Sequence, residues 1–187
     1  MYNQIEKSRA TNSRGDSKMA AGENEKKFEE FFQQKYKNTE LNGKQRYCDD
    51  ITKTEISVDN SIISKNHNIL IEIDSGNEAK LIVGQYVLLN QLYSDNKKDT
   101  LFLVIHYHIQ GRNTPNERPY NAERTIKNLI FINKNLYDGK GIKFCVFNES
   151  DFKSFCERYS KYSSFKKYLF ELAKQQMNSI SIAGNFG

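Results

Sequence analysis

Three acids stand close together in the stretch from Val58 to Tyr93, VDNSIISKNHNILIEIDSGNEAKLIVGQYVLLNQLY. Asp59 opens it, and Glu72 and Asp74 close the apolar run Asn68 to Asp74. In a β-strand alternate side chains point to opposite faces. Ile69, Ile71 and Ile73 then take one face, and Leu70, Glu72 and Asp74 the other. Acids at the end of a strand apolar enough to be buried are costly unless paired. A metal ion, a Lys or Arg, or water at the sheet edge would offset that cost. Mg²⁺ takes hard oxygen ligands, usually one or two carboxylates with waters and phosphate oxygens. Asp59 and Glu72, on neighbouring strands, suit such an ion. A cation held there polarises a phosphodiester and activates water. A lysine beside it orients the water and stabilises charge developing on phosphorus. Lys80, one turn into the following helix, is the candidate. The competing reading is a satisfied acid pair with a structural role only.

These residues need elements to position them. Gly22 to about Lys37 is predicted as a helix, with Phe28, Phe31, Phe32 and Tyr36 in one stripe. Acids fill its first turn, where the helix dipole favours them. Glu25 borders the apolar stripe; it either stabilises the dipole or reaches the central acids. Glu23, Glu29 and Glu30 are expected to be more exposed. Asn38 to Asp50 reads as a polar connector with a turn near Asn42-Gly43. Thr52 to Asp59, Ser61 to Ser64 and Asn68 to Asp74 read as an antiparallel meander, turning at Lys65 to Asn68. Ser75-Gly76-Asn77 breaks the strand, and Ser75 or Asn77 caps a helix over Glu78 to Tyr93. That helix is apolar around much of its circumference, so it packs on the sheet. Lys80 shares a stripe with Val83, Val87 and Gln91, and can lean back toward Glu72 and Asp74.

Beyond a charged turn at Asp95 to Asp99, Leu101 to Ile109 is nearly all apolar and predicts a central strand. His106 and His108 lie two apart on it. They can chelate zinc or be packed and hydrogen-bonded. Gln110 to Arg124 holds both prolines and reads as a long loop. Its Arg112, Arg118 and Arg124 are candidates for DNA contact, since arginine bonds phosphate and pairs bidentately with guanine. Lys127 to Asn133 and Gly141 to Phe147 are predicted as strands, turning at Asp138-Gly139. Asn148 to Ser150 caps a last helix, Asp151 to about Met177, with a break at Ser163-Ser164. Its outer face carries Lys153, Arg158, Lys161, Lys166, Lys167 and Lys174.

The 187 residues suffice for one domain with a core. The expected division is an N-terminal arm over 1–21, a single domain over 22–178 and a tail over 179–187. The arm is polar and reads as mobile; its Arg9, Arg14 and Lys18 could touch phosphate. Rings are plentiful, with 12 Phe and 11 Tyr, and Trp is absent. A core of rings, Ile and Leu follows. Net charge of +5 fits a polyanion partner without demanding one. Three cysteines without CxxC spacing read as reduced thiols. No apolar run reaches the length of a membrane span, and no signal-peptide core is present. A cytoplasmic protein with no membrane partner is expected. The element order implies a mixed α/β fold, a central mixed sheet flanked by helices.

An acid opening a hairpin, an apolar strand ending in Glu, a following helix, and a preceding helix that bears Glu resemble the PD-(D/E)XK nuclease superfamily. Many type II restriction endonucleases have this fold. The likeness covers about Gly22 to Ile109. It implies a restriction-endonuclease-like sheet, and Asp59 and Glu72 as Mg²⁺ ligands with Glu25 joining them. The run Gly84 to Tyr93 is similar to the glutamine- and tyrosine-bearing helix of several branches. Two positions depart from the pattern. Val58 stands where proline usually precedes the aspartate. Asp74 stands two after the glutamate, where lysine is usual; Lys80 would then be the migrated lysine, or Asp74 an extra ligand. The resemblance implies a Mg²⁺-dependent endonuclease acting on double-stranded DNA, as a homodimer if it is a restriction enzyme. The alternatives are a non-catalytic nucleic-acid-binding protein on the same fold, and a zinc hydrolase using the histidines.

Overall fold

The computed structural model of the chain describes residues 22–76, 78–94 and 99–179. Periodic apolar positions form the first helix, α1 (Glu23–Lys35), which buries Phe28 and Phe32. Two short strands follow, β1 (Gln45–Cys48) and β2 (Glu55–Val58), then β3 (Asn60–Ile63) and β4 (His67–Asp74). Helix α2 (Ala79–Leu92) leads to β5 (Asp99–His106). The two-residue strands β6 (Ile109–Gln110) and β7 (Arg118–Pro119) precede helix α3 (Glu123–Tyr137). Strand β8 (Lys143–Asn148) and helices α4 (Glu149–Arg158) and α5 (Tyr162–Asn178) complete the order.

The main sheet has strand order β3-β4-β5-β8. β3 runs antiparallel to β4, whereas β4, β5 and β8 are parallel. Two consecutive crossovers in one direction place α2 and α3 on the same face, as connections of one hand do. There they enclose Leu70, Phe102, Val104, Phe144 and Val146 with Ile82, Tyr86, Leu89, Leu129 and Ile130. The opposite face carries Ile69, Ile71, Ile73, Leu101, Leu103 and Ile105 under Phe28, Phe32, Phe152, Phe165 and Leu169 of α1, α4 and α5. The mixed α/β architecture and the alternation of β4 thus follow the sequence pattern. β5 is central and parallel on both sides, which is why its apolar run is continuous. At the sheet's far edge, the Gln176 amide donates to Val146 O (3.1 Å) and accepts from Val146 N–H (3.0 Å). This covers part of an otherwise unpaired strand edge.

Four expectations are corrected. The meander is broken, because β2 pairs with β1 in a separate two-stranded sheet, and only β3 and β4 form the expected hairpin. Lys127 to Asn133 is helix, not strand: Thr125, Leu129, Ile130 and Asn133 are buried at helical spacing, and Phe131 is 65% exposed. The expected 110–124 loop is folded back on itself. Ile109 and Gln110 pair with Pro119 and Arg118, and α3 begins at Glu123. Gly111 turns that hairpin with φ of +64°, and a Cβ there would meet Thr114 Oγ1 at 2.8 Å. The last helix divides earlier than Ser163-Ser164, between Arg158 and Tyr162. Asn148 caps α4 as expected, accepting from Asp151 N–H at 2.8 Å. Of the long helix's basic residues, Lys153 lies over the Phe31 ring and pairs with Glu149. Arg9, Arg14, Lys18, the cap residue Asn77, the charged turn at 95–98 and the tail beyond Ser179 lie outside the described residues. Among the described residues, no helix is long and apolar enough to cross a membrane.

A buckle of side-chain bonds ties α2, α3 and β8. Asn133 Oδ1 accepts from Gly141 N–H (2.9 Å), Asn90 Oδ1 from Ile142 N–H (2.7 Å), and Tyr86 OH donates to Ile142 O (2.7 Å). A Cβ on Gly141 would lie 2.6 Å from Asn133 Oδ1 and 2.8 Å from the Tyr86 hydroxyl. Gly141→Ala is therefore expected to lower stability by about 1–3 kcal/mol, read from urea unfolding. Unchanged stability would contradict the role of this buckle.

Candidate functional site

Asp59 is the single residue between β2 and β3, where the chain leaves one sheet for the other. Its Oδ2 accepts the Ile73 N–H at 2.9 Å, which fixes it beside the end of β4. The β1–β2 register pairs Gln45 with Val58. It continues past the strand end, since Gly43 N–H donates to Asn60 Oδ1 (3.1 Å) and Asn42 N–H to Ser61 O (2.8 Å). One step beyond Gln45–Val58, Lys44 therefore stands opposite Asp59, where cross-strand side chains interact. Burial pushes the Asp59 carboxyl above its usual range, and the charges of Glu25 and Asp74 add to this. The Ile73 N–H and the Lys44 ammonium oppose them.

Glu72, half-buried near the end of β4, is pushed up to about 8. Burial is the largest cause, followed by the charge of Asp59; a hydrogen bond from Gln85 opposes both. The Gln85 amide also donates to Ser57 O at 3.0 Å, bridging α2, β2 and Glu72. Helix α1 closes the other side. Asn24 donates to Ser75 Oγ (2.8 Å), and Glu29 Oε1 accepts from Asn60 Nδ2 (2.8 Å). Glu25 lies between them in sequence, one turn before Glu29. Glu72 Oε2 and Glu25 Oε2 are both buried and have no hydrogen-bond partner.

The structure thus places Asp59 where the charges of Glu25 and Asp74 act on it, and Glu72 where those of Asp59 and Asp74 act. Asp74 has partners of its own. Its Oδ2 is 2.5 Å from His106 Nδ1, and its Oδ1 accepts the Gly76 N–H at 3.0 Å. Lys80 is exposed, about 140° around α2 from Gln85. It is not among the groups that act most strongly on Asp59 or Glu72; the cation there is Lys44. Arg112, Arg118 and Arg124 are exposed, the first two in the β6–β7 hairpin and the third at the start of α3. Arg118 Nε donates to Gln110 Oε1 at 2.9 Å. Arg124 lines a shallow groove with Gln110, Tyr120, Asn121, Lys127 and Asn128. His106 is hydrogen-bonded and His108 packs against Tyr120, which matches the packed reading of the histidine pair.

Sequence reading missed Lys44 as a site residue and named Gln85 only through the resemblance. Gln85 had a visible signal: a polar residue on the face shared by Ile82, Tyr86 and Leu89. Lys44 had none short of the β1–β2 register.

Among the described residues, no group of three or more His, Cys, Asp or Glu side chains is placed to hold a metal ion. The expected ligand set Asp59, Glu72 and Asp74 is therefore not assembled as a cage, because both Asp74 oxygens are engaged by His106 and Gly76. What is assembled is a set of hard carboxylate oxygens, two of them buried without donors. That set fits a cation such as Mg²⁺, which keeps most of its waters and takes one or two carboxylates. Comparisons with protein-family models, with curated proteins and with solved structures found no match to this chain.

The raised Glu72 pKa makes stability pH-dependent. The ordinary value is 4.5 and the folded value about 8. Between them the folded chain keeps a proton that the unfolded chain has lost, so stability falls as pH rises. In EDTA, stability contributed by this group is expected to be full below about pH 4.5 and lost by the time pH passes about 8. Urea unfolding across that range checks it; Glu72→Gln should flatten the slope, and an unchanged slope would contradict the assignment.

Proposed function

We propose that this chain is a Mg²⁺-dependent DNA endonuclease that hydrolyses phosphodiester bonds at the Asp59–Glu72 site. The observation that carries this reading is the pair of buried, unpartnered oxygens, Glu72 Oε2 and Glu25 Oε2, beside Asp59. Buried acceptors without donors are costly, and a divalent cation is a partner that carboxylates of this kind accept. Asp59 and Glu72 would hold it. When bound, it supplies Lewis acidity toward the phosphodiester and a more acidic water. The chain's own residues do the rest. The Ile73 N–H and the Gln85 amide hold the two acids in place, so little reorganisation is needed at the reacting phosphate. Lys44, exposed opposite Asp59, meets the charge that develops on phosphorus. Lys80 is the alternative lysine. Glu25 and Asp74 add negative charge around the pair. Arg112, Arg118 and Arg124 supply contacts to double-stranded DNA. Cutting both strands takes two such sites, so a homodimer belongs to this reading.

A second reading is favoured by one observation. Asp74, at the position where the resembling family carries lysine, is bonded to His106 and Gly76. A chain that lost that lysine would bind nucleic acid without cutting it. Its binding would fall steeply with salt and need no metal.

Plasmid cleavage with Mg²⁺ or EDTA separates the two. The wild type is expected to cut only with Mg²⁺. Glu72→Ala should abolish cutting, and Lys44→Ala should lower it by about a hundredfold or more, whereas Lys80→Ala should cut nearly as well as wild type. A reversed order of the two lysine variants would return the role to Lys80. Absence of cleavage with salt-sensitive binding would favour the non-catalytic reading.

A further inference from the structure

His106 is fully buried, and both of its ring nitrogens are engaged. Nδ1 meets Asp74 Oδ2 at 2.5 Å, and Nε2 meets Thr125 Oγ1 at 3.0 Å. Asp74 and His106 are direct partners in the parallel register of β4 and β5. Thr125 is itself fully buried, in the first turn of α3 and one residue after Arg124. The Tyr120 ring packs on the imidazole with centroids 4.2 Å apart. On its far side, Asp74 accepts the Gly76 N–H. The result is an unbroken chain from α3 to the end of β4: Thr125, His106, Asp74, Gly76.

The chain bears on the acid pair because the Asp74 charge acts on both Asp59 and Glu72. Where the Asp74 carboxylate sits decides how much negative potential the pair feels. His106 fixes that carboxylate from the β5 side, and Thr125 fixes the buried ring through its other nitrogen. Groups bonded behind the ligands of a cation site commonly set its affinity; here the bonded carboxylate, Asp74, acts on the two candidate ligands through its charge. We propose that Thr125 and His106 are positioning residues that hold the Asp74 carboxylate and so tune cation affinity at Asp59 and Glu72. They also tie that site to the turn of α3 that bears Arg124. This rests on the cation-site reading given above. Both residues are fully buried, so each acts through Asp74 and not by contact from the surface.

Thr125→Val keeps the shape and removes the hydroxyl; Thr125→Ser restores it. Two measurements are made on each full-length variant. The first is the NMR shift of the Gly76 amide proton in metal-free protein, which follows the position of Asp74 Oδ1. It is expected to move in Thr125→Val and to return in Thr125→Ser. The second is Mn²⁺ uptake, read from loss of the free-ion EPR signal. Affinity is expected to fall roughly tenfold or more in Thr125→Val and to stay near wild type in Thr125→Ser. An unmoved Gly76 amide overturns the proposal. So does equal Mn²⁺ affinity in the wild type and Thr125→Val, which leaves the cation site standing. Failure of the wild type to take up Mn²⁺ overturns both the site and its tuning. Circular dichroism monitors folding, and Thr125→Ala carries the same expectations should the valine variant fail to fold.

Discussion

The end of β4 is where the structure's main conflict lies. The strand is paired with β5 along its length and with β3 as far as Ile71, and is covered on both faces, by α1, α4 and α5 on one side and α2 and α3 on the other. Leu70 belongs to the α2 side, and Glu72 continues that row. A carboxylate in such a row loses water and gains little from apolar neighbours. Asp59 beside it adds like charge. Most polar contacts near this end can be understood as answers to that conflict: the Ile73 N–H on Asp59, the Gln85 amide on Glu72, and Lys44 across from Asp59. They reduce the cost without removing it, since two buried oxygens keep no donor.

Rigid elements carry the arrangement. Glu72 and Asp74 stand on a strand, Gln85 and Glu25 on helices, and Asp59 on a one-residue junction pinned by backbone hydrogen bonding. Sites built on strands and helices hold their geometry better than sites on loops. Arg112 and Arg118 lie on a different kind of support, a hairpin, whereas Arg124 stands on a helix. The β6–β7 hairpin is held by a short ladder, by the Arg118–Gln110 bond, and across its turn by bonds from Thr114 to Gly111 O and from Asn113 N–H to Glu117.

Much of this was legible in the chain because burial imposes period. The alternation of NILIEID gave β4 and its two faces, and the phenylalanine spacing gave α1. The run Leu101 to Ile105 gave the central strand. The failures have physical causes. Leu129-Ile130-Phe131-Ile132 is a short apolar run that strand and helix satisfy equally by composition; the polar buried residues Thr125 and Asn133 are what fit a helix. β1 is short, half-exposed and polar, and its partner β2 lies across a turn, so no local period marks it. Lys44 enters the site through that register, and His106 reaches Asp74 through the register of β4 and β5. Pairings between strands distant in sequence are not written in the composition of either strand. The acids themselves were legible because an acid at the end of an apolar strand is a local anomaly.

The most direct measurement is anomalous scattering from crystals of the wild-type protein soaked in Mn²⁺. The expected result is a manganese peak at the carboxylates of Asp59 and Glu72, absent from crystals of Glu72→Gln. A peak elsewhere on the chain, or none at a concentration that saturates carboxylate sites, would contradict a cation-binding role and leave the acids as structure alone.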